Sequence, residues 1–203
     1  MKFLIAYNND NTADAAGGHF AFCGEEMENA MEEYGFDNVV LTPPLLTNAQ
    51  LLQHLPNCSI CFIANHGDAK SIAGNNGDIV SVDTNNTLFA GKLLYAVSCS
   101  CAQKLKDKLV SDGLRSFWGY DNKLSIWYGY PQYSSSCMKG IKSLMEGKTV
   151  KEAKEEMLAE YNNGIAELET LYPDNTYLAA ALLDNREALV VFGEDDLKLV
   201  DLK

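Results

Sequence analysis

Six short apolar runs, each cut off by polar or glycine-bearing residues, constrain this 203-residue chain more than any other feature. They are KFLIAY (2–7), NVVLTPP (38–44), SICFIA (59–64), LLYAV (93–97), LRSFWGY (114–120) and ALVVFG (188–193). Most are apolar at nearly every position. Such runs belong to strands covered on both faces, and these occur in parallel sheets. Stretches with helical apolar spacing separate several of them. Residues 19–34 end at Gly35, residues 47–57 begin at the capping Thr47 and stop after Pro56, and residues 102–113 end at Gly113. Helices are also expected from 135 onward, the second opened by a Thr149/Glu152 capping box. A small hairpin is expected at IVSV (79–82), and the closing EDDLKLVDLK is expected to add a small hairpin strand. The pattern predicts one α/β domain over 1–203, a three-layer sandwich whose mostly parallel sheet of about six strands carries helices on both faces. No internal repeat or low-complexity tract interrupts it.

The charge excludes some functions. A formal net charge of −12 repels phosphates and anionic lipid, so neither nucleic acid nor membrane is an expected partner. A peptide or protein substrate, basic ones included, suits such a surface. The N-terminal apolar run is shorter than a signal-peptide core, and no run approaches the ~20 residues of a membrane helix. A cytoplasmic protein is the expectation. Its six cysteines are then expected to be free rather than bridged. Cys58-x-x-Cys61 and Cys99-x-Cys101 offer thiols for zinc. Cys61, however, lies inside a strand, where residues three apart point to opposite faces, and a zinc knuckle needs a tight turn. No metal or other cofactor is expected. Cys58, Cys61, Cys23 and Cys137 are read as core packing.

Chemistry in parallel sheets gathers at the carboxyl ends of the strands. Here those ends carry Asn8-Asn9-Asp10, Asn65-His66-Gly67, Ser98-Cys99 and Gly119-Tyr120-Asp121. If the third and fourth large strands are neighbours, His66 and Cys99 share one edge, a thiol nucleophile beside an imidazole that can move its proton. Gly67, lacking a side chain, would let its amide approach a substrate carbonyl together with the amide of Cys99. A lone histidine after a strand is ordinarily a loop residue and a lone cysteine in an apolar run ordinarily packing. The two together, each at a strand end, favour catalysis. His66, Gly67 and Cys99 are the expected catalytic group, and Asp68, Ser98, Tyr120 and Asp121 the expected substrate contacts. Trp118, Trp127 and Tyr130 are further candidates for a groove, half of these aromatics being expected in the core. His19 is expected on the loop that follows the first strand, and His54 on the surface.

FIANHGD and YAVSCSC, in this order, resemble the clan CD cysteine peptidases, the group that includes caspases, metacaspases, legumain, clostripain and gingipains. AQKLKDKLVSDGLRSFWGYD is similar to the helix and following strand of bacterial caspase-like domains. The resemblance covers residues 1–160. It implies a caspase-like fold and peptide-bond cleavage by a Cys–His dyad without a metal in the chemistry. His66 would protonate the leaving amine, Cys99 attack, and the Gly67 and Cys99 amides hold the oxyanion. In that family a small residue precedes the nucleophile, the place Ser98 fills. Cys101 is the fallback nucleophile.

The chain departs from the family at the position two before Cys99. Enzymes that cut after Arg or Lys often carry an acid there, and this chain has Val97. Arg115 and Arg186 are its only arginines and neither follows the first strand, which disfavours a pocket for aspartate. A basic P1 residue would need Asp10, Asp14, Asp68 or Asp121; a small or neutral P1 is equally open. Two other folds fit less well. A flavodoxin-like module needs a Ser/Thr-rich loop with an early glycine after the first strand. An amidotransferase-type hydrolase places its histidine after the cysteine. The alternative within the same fold is a caspase-like domain without activity that serves as an interaction or regulatory module.

Overall fold

The structure, a computed structural model, describes residues 1–10, 16–84, 86–127 and 129–202. The main sheet contains β1 (Lys2–Tyr7), β2 (Asp37–Leu41), β3 (Ile60–Ala64), β6 (Leu93–Val97), β7 (Ser116–Tyr120) and β8 (Leu189–Phe192), while β4 (Ser71–Gly74) and β5 (Gly77–Ser81) form a separate hairpin. The order across the sheet is β2-β1-β3-β6-β7-β8. The first five strands run parallel, and β8 closes the edge antiparallel to β7. The expected three-layer α/β architecture with six strands is therefore present. Among the described residues, no helix is long and apolar enough to cross a membrane.

Strand alternation divides the interior into two cores. Phe3, Ile5, Phe62, Tyr95 and Trp118 face α1 (Gly17–Tyr34), α4 (Pro131–Met145), α5 (Val150–Leu171) and α6 (Thr176–Glu187). Leu4, Ala6, Ile63, Leu94, Ala96 and Phe117 face α2 (Asn48–His54), α3 (Leu105–Ser111) and the hairpin. Both faces are covered, which is why the strands read as continuous apolar runs. On the first face, Phe62, Tyr95 and Trp118 occupy matched positions and stack, with ring centroids 6.0 and 5.4 Å apart. Each such pair adds about 0.5–1.5 kcal/mol beyond its burial. Helix α1 lies close on β1 because it presents Gly24 to Tyr7: a Cβ at Gly24 would stand 2.2 Å from the Tyr7 ring. Gly35, at φ 69°, ends α1 in the left-handed turn that favours glycine.

The structure corrects several boundaries. Helix α4 begins at Pro131, four residues before the expected start, with proline in the first turn where its missing N–H costs nothing. Helix α6 was not anticipated. Its Leu178, Ala179, Ala181 and Leu182 are buried while Tyr177 and Leu183 are exposed, so no clean apolar stripe marks it. The expected C-terminal strand is instead a short 3₁₀ turn, Leu199–Asp201, in which the Lys198 N–H donates to the Asp201 carboxylate at 2.9 Å. The capping box at Thr149 and Glu152 is present at the start of α5.

Candidate active site

Strands β3 and β6 are parallel neighbours, with Ala64 opposite Val97, and the Asn65 N–H extends the ladder to the Val97 carbonyl at 3.3 Å. His66 and Cys99 each stand two residues beyond that pair, so both leave the sheet at one level of its carboxyl edge. His66 is exposed and its ring meets Phe20 of α1 edge-on, centroids 5.1 Å apart. A cleft of about 210 Å³ opens beside it, lined among others by Asn8, Asp10, Asn65 and Asn75.

Behind His66 the chain turns into the β4–β5 hairpin. The Ala73 N–H donates to the His66 carbonyl at 2.8 Å and the Asp68 N–H to the Ser71 carbonyl at 2.9 Å. These two bonds flank Gly67 and leave its amide out of the pairing. A Cβ at Gly67 would lie 2.1 Å from Ser98 Oγ and 3.0 Å from the Cys99 carbonyl oxygen. Only glycine brings the two strand ends this close.

The two thiols of SCSC differ sharply. Cys99 is half-buried, and its Sγ accepts the Leu124 N–H at 3.3 Å. Ser100 follows at φ 56°, a left-handed conformation unusual for a residue with a side chain. Such backbone strain concentrates at functional sites. Beyond this turn Cys101 is fully buried in the second core, its Sγ 3.4 Å from the Ser98 carbonyl. Burial pushes its thiol up to about 12, which leaves it protonated and a poor nucleophile.

The expected substrate contacts fare unevenly. Ser98 is fully buried, and its hydroxyl finds no hydrogen-bond partner among the described residues. Tyr120 is also buried, its hydroxyl 2.8 Å from that of Tyr161. Tyr120 is the last residue of β7, all of whose residues are buried, and Ser98 directly follows β6, whose residues are buried throughout. Asp68 is exposed, but its Oδ1 accepts the Lys70 and Ser71 N–H groups at 2.7 and 2.9 Å and so serves the turn. Asp121 is exposed at the end of β7, with its backbone tied to Ala188 and Gln103. Asp10 lines the cleft that holds His66; Asp14 lies outside the described residues. Of the aromatics, Trp118 is core, whereas Trp127 and Tyr130 line a larger cleft of about 450 Å³ between α1 and the segment before α4.

One cluster was missed by the sequence reading. His19 sits in the first turn of α1, not on a loop, and Cys23 follows one turn later. Cys137 of α4 completes the group, 3.7 Å from Cys23 Sγ and 3.8 Å from His19 Nε2. Its contact with Cys23 above all, and that with His19, hold the Cys137 thiol down to about 6, while the same contact and burial push Cys23 up. The i, i+4 spacing of His19 and Cys23 was visible, but only the packing of α4 on α1 supplies the third member.

No family model and no curated protein sequence matches the chain. Solved structures do. The crystal structure of the Arg-specific cysteine proteinase gingipain R superposes with a TM-score of 0.68 at 14% identity, over 97% of this chain and 47% of that one. The chain has the gingipain fold. The complex of the pro- and mature domains of Porphyromonas gingivalis RgpB gives a TM-score of 0.64 at 14% identity, covering 97% of this chain and 48% of that one. The chain thus spans about half the length of the gingipain chains it matches. The architecture anticipated from FIANHGD and YAVSCSC is the caspase-like one that gingipain shares.

Proposed function

We propose that the chain is a cysteine peptidase that cleaves peptide bonds with Cys99 as nucleophile and His66 as proton donor and acceptor. The carrying observation is the equal register of the two residues at the carboxyl ends of adjacent parallel strands, in a fold shared with a cysteine proteinase. In this reading Cys99 attacks the scissile carbonyl, and the oxyanion settles between the amides of Gly67 and Cys99. His66 then gives its proton to the leaving amine, and water releases the thioester. Preorganised amides contribute because they need no reorganisation as charge develops.

The chemistry of the cleft beside His66 bears on the substrate. Of the acids weighed for a basic P1 residue, Asp10 lines that cleft, and the net charge of −12 would draw basic peptides. Gingipain R is Arg-specific. Peptide acyloxymethyl ketones bearing Arg, Lys, Asn, Asp or Leu at P1 test the proposal and read the preference together. The expected result is covalent label on Cys99 and none on Cys101, located by mass spectrometry. His66→Ala should slow turnover by about 10²–10⁴-fold. Absence of label from every probe would sink the peptidase reading and leave an interaction module.

A further inference from the structure

The cluster at the start of α1 has the geometry of a metal site. His19 Nε2 lies 3.6 Å from Cys23 Sγ and 3.8 Å from Cys137 Sγ, and the two sulfurs are 3.7 Å apart. A tetrahedral zinc ion with Zn–S of ~2.3 Å and Zn–N of ~2.0–2.1 Å requires edges of about 3.8 Å between sulfurs and about 3.6 Å between sulfur and nitrogen. All three edges fall within about 0.3 Å of those values. A disulfide would need the sulfurs near 2.05 Å; three donors of metal-ligating type, two thiols and an imidazole, converge on one point with their edges already at ligand spacing.

We infer that His19, Cys23 and Cys137 bind a zinc-type divalent cation, with a fourth position open toward the cleft of about 450 Å³ that His19 lines. The donor set is that of a borderline-soft ion, two thiolates and an imidazole, rather than of magnesium or calcium. Both cysteines bind as thiolates, and the ion's two positive charges balance them. Both cysteines are fully buried and His19 is 9% exposed, so the ion would sit beneath the surface with one face accessible. Among the described residues no fourth His, Cys, Asp or Glu joins the group, which leaves the last position to water or to a donor atom of a ligand in the cleft. The ion would clamp α1 to α4. Phe20, the residue after His19, carries the ring that packs on His66, so the clamp also bears on the edge where His66 stands. The inference is otherwise independent of the peptidase reading.

The full chain, stripped of metal by a strong chelator and kept reduced, is titrated with cobalt(II). The expected spectrum has intense d–d bands of tetrahedral cobalt and thiolate-to-cobalt charge transfer in the near ultraviolet, saturating at one equivalent. Zinc should bleach it and raise the melting temperature. Cys23→Ser and Cys137→Ser should each lose the charge-transfer intensity, and His19→Gln should weaken binding, whereas a Cys58→Ser/Cys61→Ser variant should keep the full spectrum. Only weak octahedral bands from the wild-type chain would overturn the inference without any variant. So would an unchanged spectrum in folded Cys137→Ser.

Discussion

At the scale of single residues, the tightest constraint is the meeting of Gly67 with Ser98. A methyl group on Gly67 would collide with Ser98 Oγ at 2.1 Å, inside a wall that also includes the Cys99 and Ser71 carbonyl oxygens. Gly67→Ala should therefore destabilise by about 1–3 kcal/mol through overpacking and should lower peptidase activity with it. Ser98→Ala should be neutral or stabilising by up to about 1 kcal/mol, since it removes a buried hydroxyl that lacks a partner. The double variant should recover part of the Gly67→Ala loss. Urea unfolding of the four proteins measures that coupling, and strictly additive costs would show that the two residues do not press on one another. The strand ends before His66 and Cys99 were legible in the sequence because an apolar run marks where its strand stops. The burial of Ser98 and Tyr120 was not legible, for the same reason: a strand end looks alike in sequence whether its last side chain faces solvent or core.

At the scale of elements, α4 and α5 are joined at one end by Glu156. Its carboxylate accepts the Ser143 hydroxyl at 2.6 Å and pairs with Lys139 at 3.0 Å and Lys148 at 3.5 Å. The Ser143 hydrogen bond first, and Lys139 next, hold its pKa down to about 2 from the ordinary 4.5. A carboxyl more acidic in the folded than in the unfolded chain contributes stability fully above the unfolded value and loses it as pH falls through the folded one. The side chain is one-third exposed, so screening by solvent limits the contribution to about 1 kcal/mol. Glu156→Gln should lower stability by that amount at pH 7, with the gap closing between pH 4.5 and 2. Denaturant titrations at stepped pH check it, and a gap constant with pH would refute it. The helices flanking this link differed in legibility. The Thr149 capping box announces α5 by side-chain chemistry alone, whereas α6 is apolar on more than one side and α4 opens in a run of serines and tyrosine, so neither start shows a periodic stripe.

At the scale of the whole molecule, 28 acidic residues stand against 16 basic ones. Their repulsion acts across the folded surface and relaxes when the chain expands. Salt shortens its reach from ~30 Å at 0.01 M to ~10 Å at 0.1 M. Thermal unfolding should accordingly move upward as sodium chloride is raised over that range, and a flat or falling midpoint would show that paired charges, not the excess, govern stability. The parallel layout was readable from continuous apolar runs, but the clefts were not, since each is walled by residues from elements distant along the chain. One consequence follows from the matched level of His66 and Cys99. The interval between the two strands, ~4.8 Å, sets where their backbones leave the sheet, and the bonds from Ala73 N–H to the His66 carbonyl and from Asp68 N–H to the Ser71 carbonyl fix the turn that follows. The turn at 75–76 between β4 and β5 stands apart from those bonds and can be lengthened or exchanged in descendants or by an engineer, so a new binding wall can be grafted beside the His66 cleft with the sheet edge unchanged.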